Sequence, residues 1–142
     1  MNHTVGVFAS LFDRQGRIIL VQQSYAGQCW TQPGGRLEAQ ESPIEGLLRE
    51  IYEETAIRAR VDAYVGTYVT PHLNDILLHF RASVLAKDRW ASSGEISNCG
   101  AFDPQALPSP MRVRTVARVA DAVAGRTNVF RTLLSADKAI DL

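Results

Sequence analysis

The sequence is poor in three features that mark large protein classes: cysteine, net charge and long apolar runs. Two cysteines in 142 residues are too few for a disulfide scaffold and fit a reducing cytoplasm, which is the expected location. Fifteen basic residues balance 15 acidic ones, which argues against a dedicated nucleic-acid binder or a polybasic membrane-surface protein. No apolar run approaches the roughly 18 residues of a membrane span. A chain of this length is expected to form one domain over residues 1–142.

Glutamate is nearly absent outside one short segment. Six of the seven glutamates lie between residues 38 and 54, and the seventh is Glu95. The members of the acidic segment are Glu38, Glu41, Glu45, Glu50, Glu53 and Glu54. A run of like charges is most simply a solvated face, but this density makes the segment the first place to look for chemistry.

Two pairs of segments have the pattern of β-hairpins. Residues 5–12 and 17–22 are apolar or β-branched runs separated by Asp13-Arg14-Gln15-Gly16, a typical turn sequence. Residues 57–70 and 75–85 form a second pair, joined by a turn that begins at Pro71. Between the later strands and the second helix described below, three prolines in the segment 103–110 predict irregular structure.

Two helices are predicted. The first begins at Ser42-Pro43-Ile44-Glu45, a capping box with proline at the first helical position. The second spans about 115–124 and ends at Gly125. Their predicted apolar stripes are Ile44, Leu47, Leu48 and Ile51 in the first helix, and Val116, Val119, Ala120 and Val123 in the second. Strands mixed with two helices indicate an α/β layered domain.

The first helix carries three carboxylates on one face. Glu50, Glu53 and Glu54 are spaced i, i+3 and i+4, so they lie side by side and repel one another. Clustered hard oxygen ligands suit Mg²⁺ or Mn²⁺, which would neutralise them. Gly34 and Gly35 precede the helix, and glycines there would let a backbone carbonyl approach the same ion. The alternative is an acidic helix face that only meets solvent.

These residues belong to a longer pattern. Gly35, Glu41 and the run Arg49-Glu50-Ile51-Tyr52-Glu53-Glu54-Thr55-Ala56-Ile57 resemble the Nudix box, G-x5-E-x7-R-E-U-x-E-E-x-G-U, where U is a bulky aliphatic residue. Six of its seven fixed letters match at the required spacing. The preceding Trp30-Thr31-Gln32-Pro33-Gly34-Gly35 also resembles the stretch that commonly leads into the box. The resemblance implies a Nudix hydrolase with the Nudix fold, a mixed β-sheet sandwiched between α-helices.

The sequence departs from the box at Ala56, where the family has glycine. A glycine there would end the helix in a left-handed conformation, which costs another residue roughly 1–2 kcal/mol. Ala56 has no ligand atoms in its side chain. We therefore expect a small strain or an altered helix end, with the carboxylates unaffected.

The resemblance also implies a reaction, the hydrolysis of a nucleoside diphosphate linked to another group, and thus a small nucleotide-derived substrate. Glu50, Glu53, Glu54 and the Gly34 carbonyl are then the expected ligands of Mg²⁺ or Mn²⁺, and either Glu53 or Glu50 is the general base. Arg49 is expected to orient Glu50 or Glu53, and Glu41 to pair with Arg49. Glu95 is a further candidate ligand or base, with a solvated loop residue as the alternative.

Substrate contacts are less clearly indicated. Tyr25, Trp30 and Tyr68 are candidates to stack on a base, although large aromatics are more often core residues. The candidate phosphate-binding residues are Arg17, Arg36 and the arginines between 112 and 118, with solvated surface as the default for each. The candidate aromatic and basic residues do not define a substrate.

The three histidines and two cysteines give no sign of a second site. His3, His72 and His79 lack the spacing of a zinc site. Cys29 and Cys99 have the character of ordinary buried thiols.

Two alternatives from other functional classes stay open. One is a non-hydrolysing sensor of a nucleotide derivative, because a fold does not determine a function. The other is a prenyl diphosphate isomerase, which would need Cys29 in its active site. No interaction with membrane is expected, and the oligomeric state stays open, with a homodimer as one alternative.

Overall fold

The computed structural model describes residues 2–134 and the backbone of 139–140. Strands β1 (Thr4–Phe12), β2 (Ile18–Gln23), β3 (Trp30–Thr31) and β4 (Gly34–Arg36) precede helix α1 (Pro43–Thr55). Strands β5 (Ile57–Thr70), β6 (Asp75–Lys87), β7 (Ile96–Phe102) and β8 (Met111–Arg112) precede helix α2 (Val113–Val123). Strands β9 (Val129–Thr132) and β10 (Ala139–Ile140) follow. Both predicted hairpins, β1–β2 and β5–β6, are confirmed.

The strands form one mixed, curled sheet. Its main path runs β10-β8-β3-β2-β1-β6-β5-β9, while β4 pairs with β1 and β7 pairs with β2. Strand β1 runs parallel to β6 and antiparallel to β2 and β4. Neither helix in the described residues has the length and apolar character of a transmembrane segment.

Alternation along β1 divides the molecule into two layers. Val7, Ala9 and Leu11 face α1 and pack in one apolar cluster with Leu47 and Ile51. Successive side chains of a strand point to opposite faces, so Phe8 and Ser10 lie on the other side, toward α2. This arrangement confirms the predicted mixed sheet between helices.

Helix α1 begins as predicted. Ser42 precedes it in an extended conformation, and its hydroxyl accepts a hydrogen bond from the Glu45 amide at 3.2 Å. Of the predicted stripe, Leu47 and Ile51 are fully buried, Leu48 is half-buried and Ile44 is exposed. The inward face of α1 is therefore centred on Leu47 and Ile51, and its carboxylates lie off that centre.

The predicted inward face of α2 is confirmed at Val116 and Val119, which pack in an apolar cluster, and was wrong at Ala120 and Val123. Val119 is buried, but Ala120 and Val123 are exposed and Val116 is only half-buried. The other buried residues of α2 are Thr115, Arg118, Asp121 and Ala122. The part of the sheet that faces α2 carries buried polar side chains, described below, so the helix presents polar partners to it.

Ala56 occupies the left-handed conformation that the glycine at this position of the Nudix box would adopt, with φ 57° and ψ 22°. Its amide donates to the Tyr52 carbonyl at 2.9 Å, which closes the last turn of α1. Ile57 is buried directly after this cap and begins β5. The replacement of the box glycine by Ala56 therefore strains the backbone at one residue, and the helix still ends at the same place.

Replacing Ala56 with glycine should leave the free energy of unfolding unchanged or raise it by up to about 1 kcal/mol, because relief of left-handed strain opposes the greater freedom of unfolded glycine. Urea unfolding measures the change. Ala86→Gly is the matched control: Ala86 is exposed on β6 without a positive φ, and its replacement should cost about 0.5–1 kcal/mol. A loss of about 1 kcal/mol or more in Ala56→Gly would contradict the strain at this position.

Candidate active site

Arg49 organises the acidic face of α1. Glu41, in the loop before the helix, accepts two hydrogen bonds from its guanidinium, from Nε at 2.7 Å and from Nη2 at 3.0 Å. This two-point geometry fixes the plane of the guanidinium. The pKa of Glu41 is lowered, chiefly by these hydrogen bonds from Arg49. The pairing of Glu41 with Arg49 agrees with the sequence interpretation.

The remaining nitrogen of Arg49 contacts two of the candidate metal ligands. Nη1 donates to Glu50 Oε1 at 3.1 Å and to Glu53 Oε2 at 3.2 Å. The sequence left open which of the two Arg49 orients, and the structure shows contact with both. The Glu53 side chain is 56% exposed, whereas that of Glu50 is 16% exposed, so the two carboxylates differ sharply in their access to water.

Glycines 34 and 35 make room for the carboxylates. A Cβ on Gly35 would lie 2.7 Å from Glu50 Oε1, so only glycine lets that carboxylate rest against the strand. The Gly34 amide donates to Glu54 Oε1 at 3.1 Å, and a Cβ on Gly34 would lie 2.2 Å from the Val7 carbonyl oxygen. Strand β4 therefore packs directly on the acidic face.

Burial and mutual repulsion raise the pKa values of two of these acids. The pKa of Glu54 is raised to about 8, mainly by burial and further by the charges of Glu50, Glu95 and Glu53. The pKa of Glu50 is also raised, mainly by burial, with Arg49 opposing the shift. Glu95 is exposed in the loop before β7, and its charge adds to the rise in the pKa values of both acids.

The carboxylates do not converge on one point. Across the described residues, no three acidic, histidine or cysteine side chains are grouped at metal-ligand spacing. Glu53 is held by Arg49, and Glu54 is turned toward the Gly34 amide. Ligation of one ion by all three would thus need side-chain rotation, and the ligand roles of these glutamates and of the Gly34 carbonyl stay predictions.

A buried polar network lies on the other face of the sheet. The Gln32 amide donates to the Ser10 hydroxyl at 2.7 Å and lies 2.9 Å from His79 Nε2. Gln32 Oε1 accepts a hydrogen bond from Arg118 Nε at 2.9 Å. Burial lowers the pKa of His79 to about 3, so the ring is neutral at pH 7. The sequence analysis missed this network, because its members come from separate elements and share no local spacing.

A cavity of about 120 Å³ adjoins this network, between α2 and the sheet. Its walls include Phe8, Tyr68 and Asp75, together with three arginines: Arg112, Arg114 and Arg118. A neighbouring groove shares Phe8, Asp75 and Arg114 and reaches Gly35, where Glu50 rests. The cavity and the groove thus meet at Phe8, Asp75 and Arg114.

The three candidate aromatic residues differ in whether they line the cavity. Tyr68 is buried, and its hydroxyl donates to Asp121 at 2.7 Å while its side chain lines the cavity. Tyr25 is exposed, and Trp30 packs edge-on against Phe102 at a centroid distance of 5.0 Å. Neither residue lines the cavity. Tyr68 is thus the one candidate aromatic residue that reaches it.

The basic candidates divide in the same way. Arg17 forms an ion pair with Asp13 at 2.8 Å, in the turn between β1 and β2. Arg36 lines the groove. The default of a solvated surface was wrong for Arg118, which is 4% exposed. The hydrogen bonds that Arg118 donates to Gln32 and Thr115 offset part of the cost of this burial.

The fold and the acidic helix together define a mixed α/β domain with a carboxylate-rich helix beside its sheet. The NUDIX domain model matches residues 2–122. A MutT-like protein of Streptomyces ambofaciens is 37% identical over 79 residues, which are 56% of this chain and 51% of that protein. A putative 8-oxo-dGTP diphosphatase of Bacillus subtilis is 31% identical over 106 residues, 75% of this chain and 70% of that protein. This chain therefore belongs to the Nudix hydrolase family.

Solved structures support the fold. A Nudix hydrolase from Nitrosomonas europaea superposes with a TM-score of 0.79 at 21% identity, covering 95% of this chain and 81% of that one. The similarity extends through both helices and the sheet. The matched segment spans only about half of the Streptomyces protein, so family membership leaves the substrate of this chain to be argued from its own site.

Proposed function

We propose that this protein hydrolyses the diphosphate linkage of a nucleoside diphosphate derivative in a reaction that depends on Mg²⁺ or Mn²⁺. One observation carries the proposal: Arg49, fixed by Glu41, contacts both Glu50 and Glu53 beside the two glycines of β4. An acidic helix with no other role would not need an arginine locked in this way. The name of the Bacillus subtilis relative, a putative 8-oxo-dGTP diphosphatase, supports a nucleotide as substrate.

The residues present fit a hard divalent cation. Glu50, Glu53, Glu54 and the Gly34 carbonyl would hold it, because all four offer oxygen atoms and the three carboxylates repel one another without it. Glu54 is buried beside the other acids, which raises its pKa, and a carboxylate perturbed in this way supports a functional site at this face. When bound, the ion would neutralise diphosphate charge and lower the pKa of a water molecule.

The accessible carboxylate is the better candidate for the base. Glu53 is largely exposed, whereas Glu50 is packed against Gly35 and Glu54 accepts the Gly34 amide. We assign the proton transfer to Glu53 and a positioning role to Arg49. Glu95 is near enough to influence the pKa values of Glu50 and Glu54, so it is a second base candidate from the facing loop.

The two alternatives are weaker on this structure. A prenyl diphosphate isomerase would need Cys29 at the reacting carbon, but Cys29 is 1% exposed and lines neither the cavity nor the groove. A pure sensor has no need for the Arg49 arrangement. Tight binding of a nucleotide derivative without turnover would nevertheless favour the sensor.

Removal of divalent metal should abolish hydrolysis. With a panel of nucleoside triphosphates, dinucleotides and nucleotide sugars, release of phosphate-containing products should require Mg²⁺ or Mn²⁺, stop with EDTA and return when the metal is restored. Full activity in thoroughly metal-stripped protein would contradict the proposed function.

A further inference from the structure

The end of α1 that carries the candidate metal ligands is closed by a distant segment of the chain. The last carbonyl groups of a helix have no donor within the helix. Two carbonyl groups at this end are met from residues 88–95, the β6–β7 loop. The Trp90 indole Nε1 donates to the Glu54 carbonyl at 2.8 Å, and the Asp88 amide donates to the Ala56 carbonyl at 2.8 Å. The β6–β7 loop therefore caps the turn of α1 that contains Glu54.

A side-chain cluster on the outside of the molecule joins the same two elements. The Tyr52 hydroxyl donates to Asp88 Oδ2 at 2.6 Å, and Arg58 Nη2 donates to the same oxygen at 3.0 Å. All three side chains are exposed, whereas Trp90 is half-buried. A hydrogen bond shielded from water is stronger than one that water can replace. The Trp90 indole is therefore the firmer of the two side-chain connections between α1 and the loop.

The other end of the β6–β7 loop carries Glu95. The Ser24 amide, directly after β2, donates to the Glu95 carbonyl at 2.9 Å. The loop is thus held to α1 through Trp90 and to the end of β2 through Ser24. The charge of Glu95 adds to the raised pKa values of Glu50 and Glu54, so the segment that Trp90 anchors ends in a residue that acts on the acidic face.

The Glu54 side chain has little freedom to compensate for a movement of its backbone. It is mostly buried, and Oε1 accepts the Gly34 amide at 3.1 Å. A shift of the last turn of α1 would therefore change where this carboxylate lies relative to β4. Groups that hold metal ligands in place from behind commonly contribute about 10–100-fold to metal affinity or activity.

We propose that Trp90 is a positioning residue of the candidate active site, whose indole holds the Glu54 turn of α1 and the loop that carries Glu95 in one fixed arrangement. The proposal rests on the proposed function, because the expected metal ligands and the second base candidate belong to that site. Trp90 acts through the backbone of Glu54 and not on the substrate. Without the indole N–H the turn and the loop can move separately, and misplaced groups bind the ion more weakly and react more slowly.

Metal binding tests this role without turnover. Trp90→Phe keeps an aromatic ring and removes the donor. Its affinity for Mn²⁺, measured from the electron paramagnetic resonance signal of the free ion, should be about tenfold lower than that of the wild type. With a nucleotide that the wild type hydrolyses, kcat should also fall about tenfold. KM should stay within about twofold, because uniform binding of the substrate is unchanged.

Two further variants complete the series. Tyr52→Phe removes only the exposed hydroxyl that contacts Asp88, so it should fold and should lower the Mn²⁺ affinity by about threefold. Tyr64→Phe is the matched control, because it removes the hydroxyl of a half-buried aromatic residue that contacts Thr67 within β5. Its Mn²⁺ affinity and kcat should stay within about twofold of the wild-type values.

The outcomes separate this inference from the proposed function. Wild-type Mn²⁺ affinity and kcat in folded Trp90→Phe, even with a lowered Tm, would make Trp90 a purely structural residue and overturn the proposal. If Trp90→Phe does not fold, wild-type Mn²⁺ affinity in Tyr52→Phe would overturn it. Weaker Mn²⁺ binding by Trp90→Phe, with no metal-dependent hydrolysis by the wild type, would refute the proposed function alone. Absence of Mn²⁺ binding to the wild type would refute both.

Discussion

Replacing Glu53 with glutamine should lower turnover by about 10²–10⁴-fold, the range expected when a positioned general base is lost. Glutamine keeps the shape of the side chain but cannot accept a proton at neutral pH. The Arg49 contact at 3.2 Å can persist through the amide oxygen, so the change removes charge with little rearrangement. Steady-state kinetics at saturating Mg²⁺ would measure the loss, which should appear in kcat.

The same variant also tests whether Glu53 is a metal ligand. Metal-free Glu53→Gln should melt at the wild-type temperature or above, because Glu50 and Glu54 then repel one neighbour fewer. Its rise in Tm on addition of Mg²⁺ should be smaller than in wild type, since a weaker ligand set stabilises the fold less at a fixed metal concentration.

Glu45→Gln is the matched control on the same helix. Glu45 lies exposed in the first turn of α1, where glutamine also serves in a capping box. It removes the same charge but should leave kcat and the Mg²⁺-induced rise in Tm nearly unchanged. A full metal response and normal turnover in Glu53→Gln would show that Glu53 neither moves a proton nor binds the ion.

Local patterns determined which parts of this fold could be predicted. The Ser42 cap and the turn after Phe12 each depend on a few neighbouring residues, and both were predicted correctly. At Ala56 the sequence left two alternatives open, a small strain or an altered helix end, and the structure shows the strained left-handed residue. The pairing of Arg49 with Glu41 could also be expected, because the family resemblance fixed both positions. Helical spacing put Glu50, Glu53 and Glu54 on one face, although it could not show that Arg49 and Gly34 hold two of them apart.

The polar side of the molecule could not be predicted in the same way. Ser10, Gln32 and His79 come from β1, the β3–β4 connection and β6, and they meet only when β1 pairs with β6. Their burial makes Arg118 an inward-facing residue of α2. Apolar periodicity favoured Val116 and Val123 instead, because it assigns an apolar residue to every buried position.

Loss of the Asp121 carboxylate should destabilise the fold strongly. Its side chain is 2% exposed and accepts hydrogen bonds from three partners: the Tyr68 hydroxyl at 2.7 Å, Arg126 at 2.9 Å and Arg131 at 2.7 Å. One carboxylate therefore joins α2 to β5 and β9. Asp121→Asn should lower the free energy of unfolding at pH 7 by about 2–3 kcal/mol, because a buried carboxylate with charged partners is lost while the exposure of both arginines moderates the cost.

The control for this variant is an exposed aspartate with a similar local partner. Asp62 pairs with Arg60 at 2.8 Å on the outer part of β5. Asp62→Asn should cost at most about 1 kcal/mol, as is usual for exposed ion pairs. Equal losses in the two variants would show that Asp121 contributes no more than a surface carboxylate.

The pH dependence of unfolding distinguishes the charge of Asp121 from its shape. Hydrogen bonds from Arg131, with those from Tyr68 and Arg126, hold the pKa of Asp121 well below its ordinary value of 3.8. The unfolded chain therefore binds this proton more readily, so the stabilisation is complete above the ordinary pKa and is lost as pH falls toward the folded value. The difference in unfolding free energy between wild type and Asp121→Asn should accordingly shrink below about pH 4. Urea unfolding at a series of pH values measures it, and a difference that stays constant down to the acid limit of folding would mean that packing, rather than the carboxylate charge, joins α2 to β5 and β9.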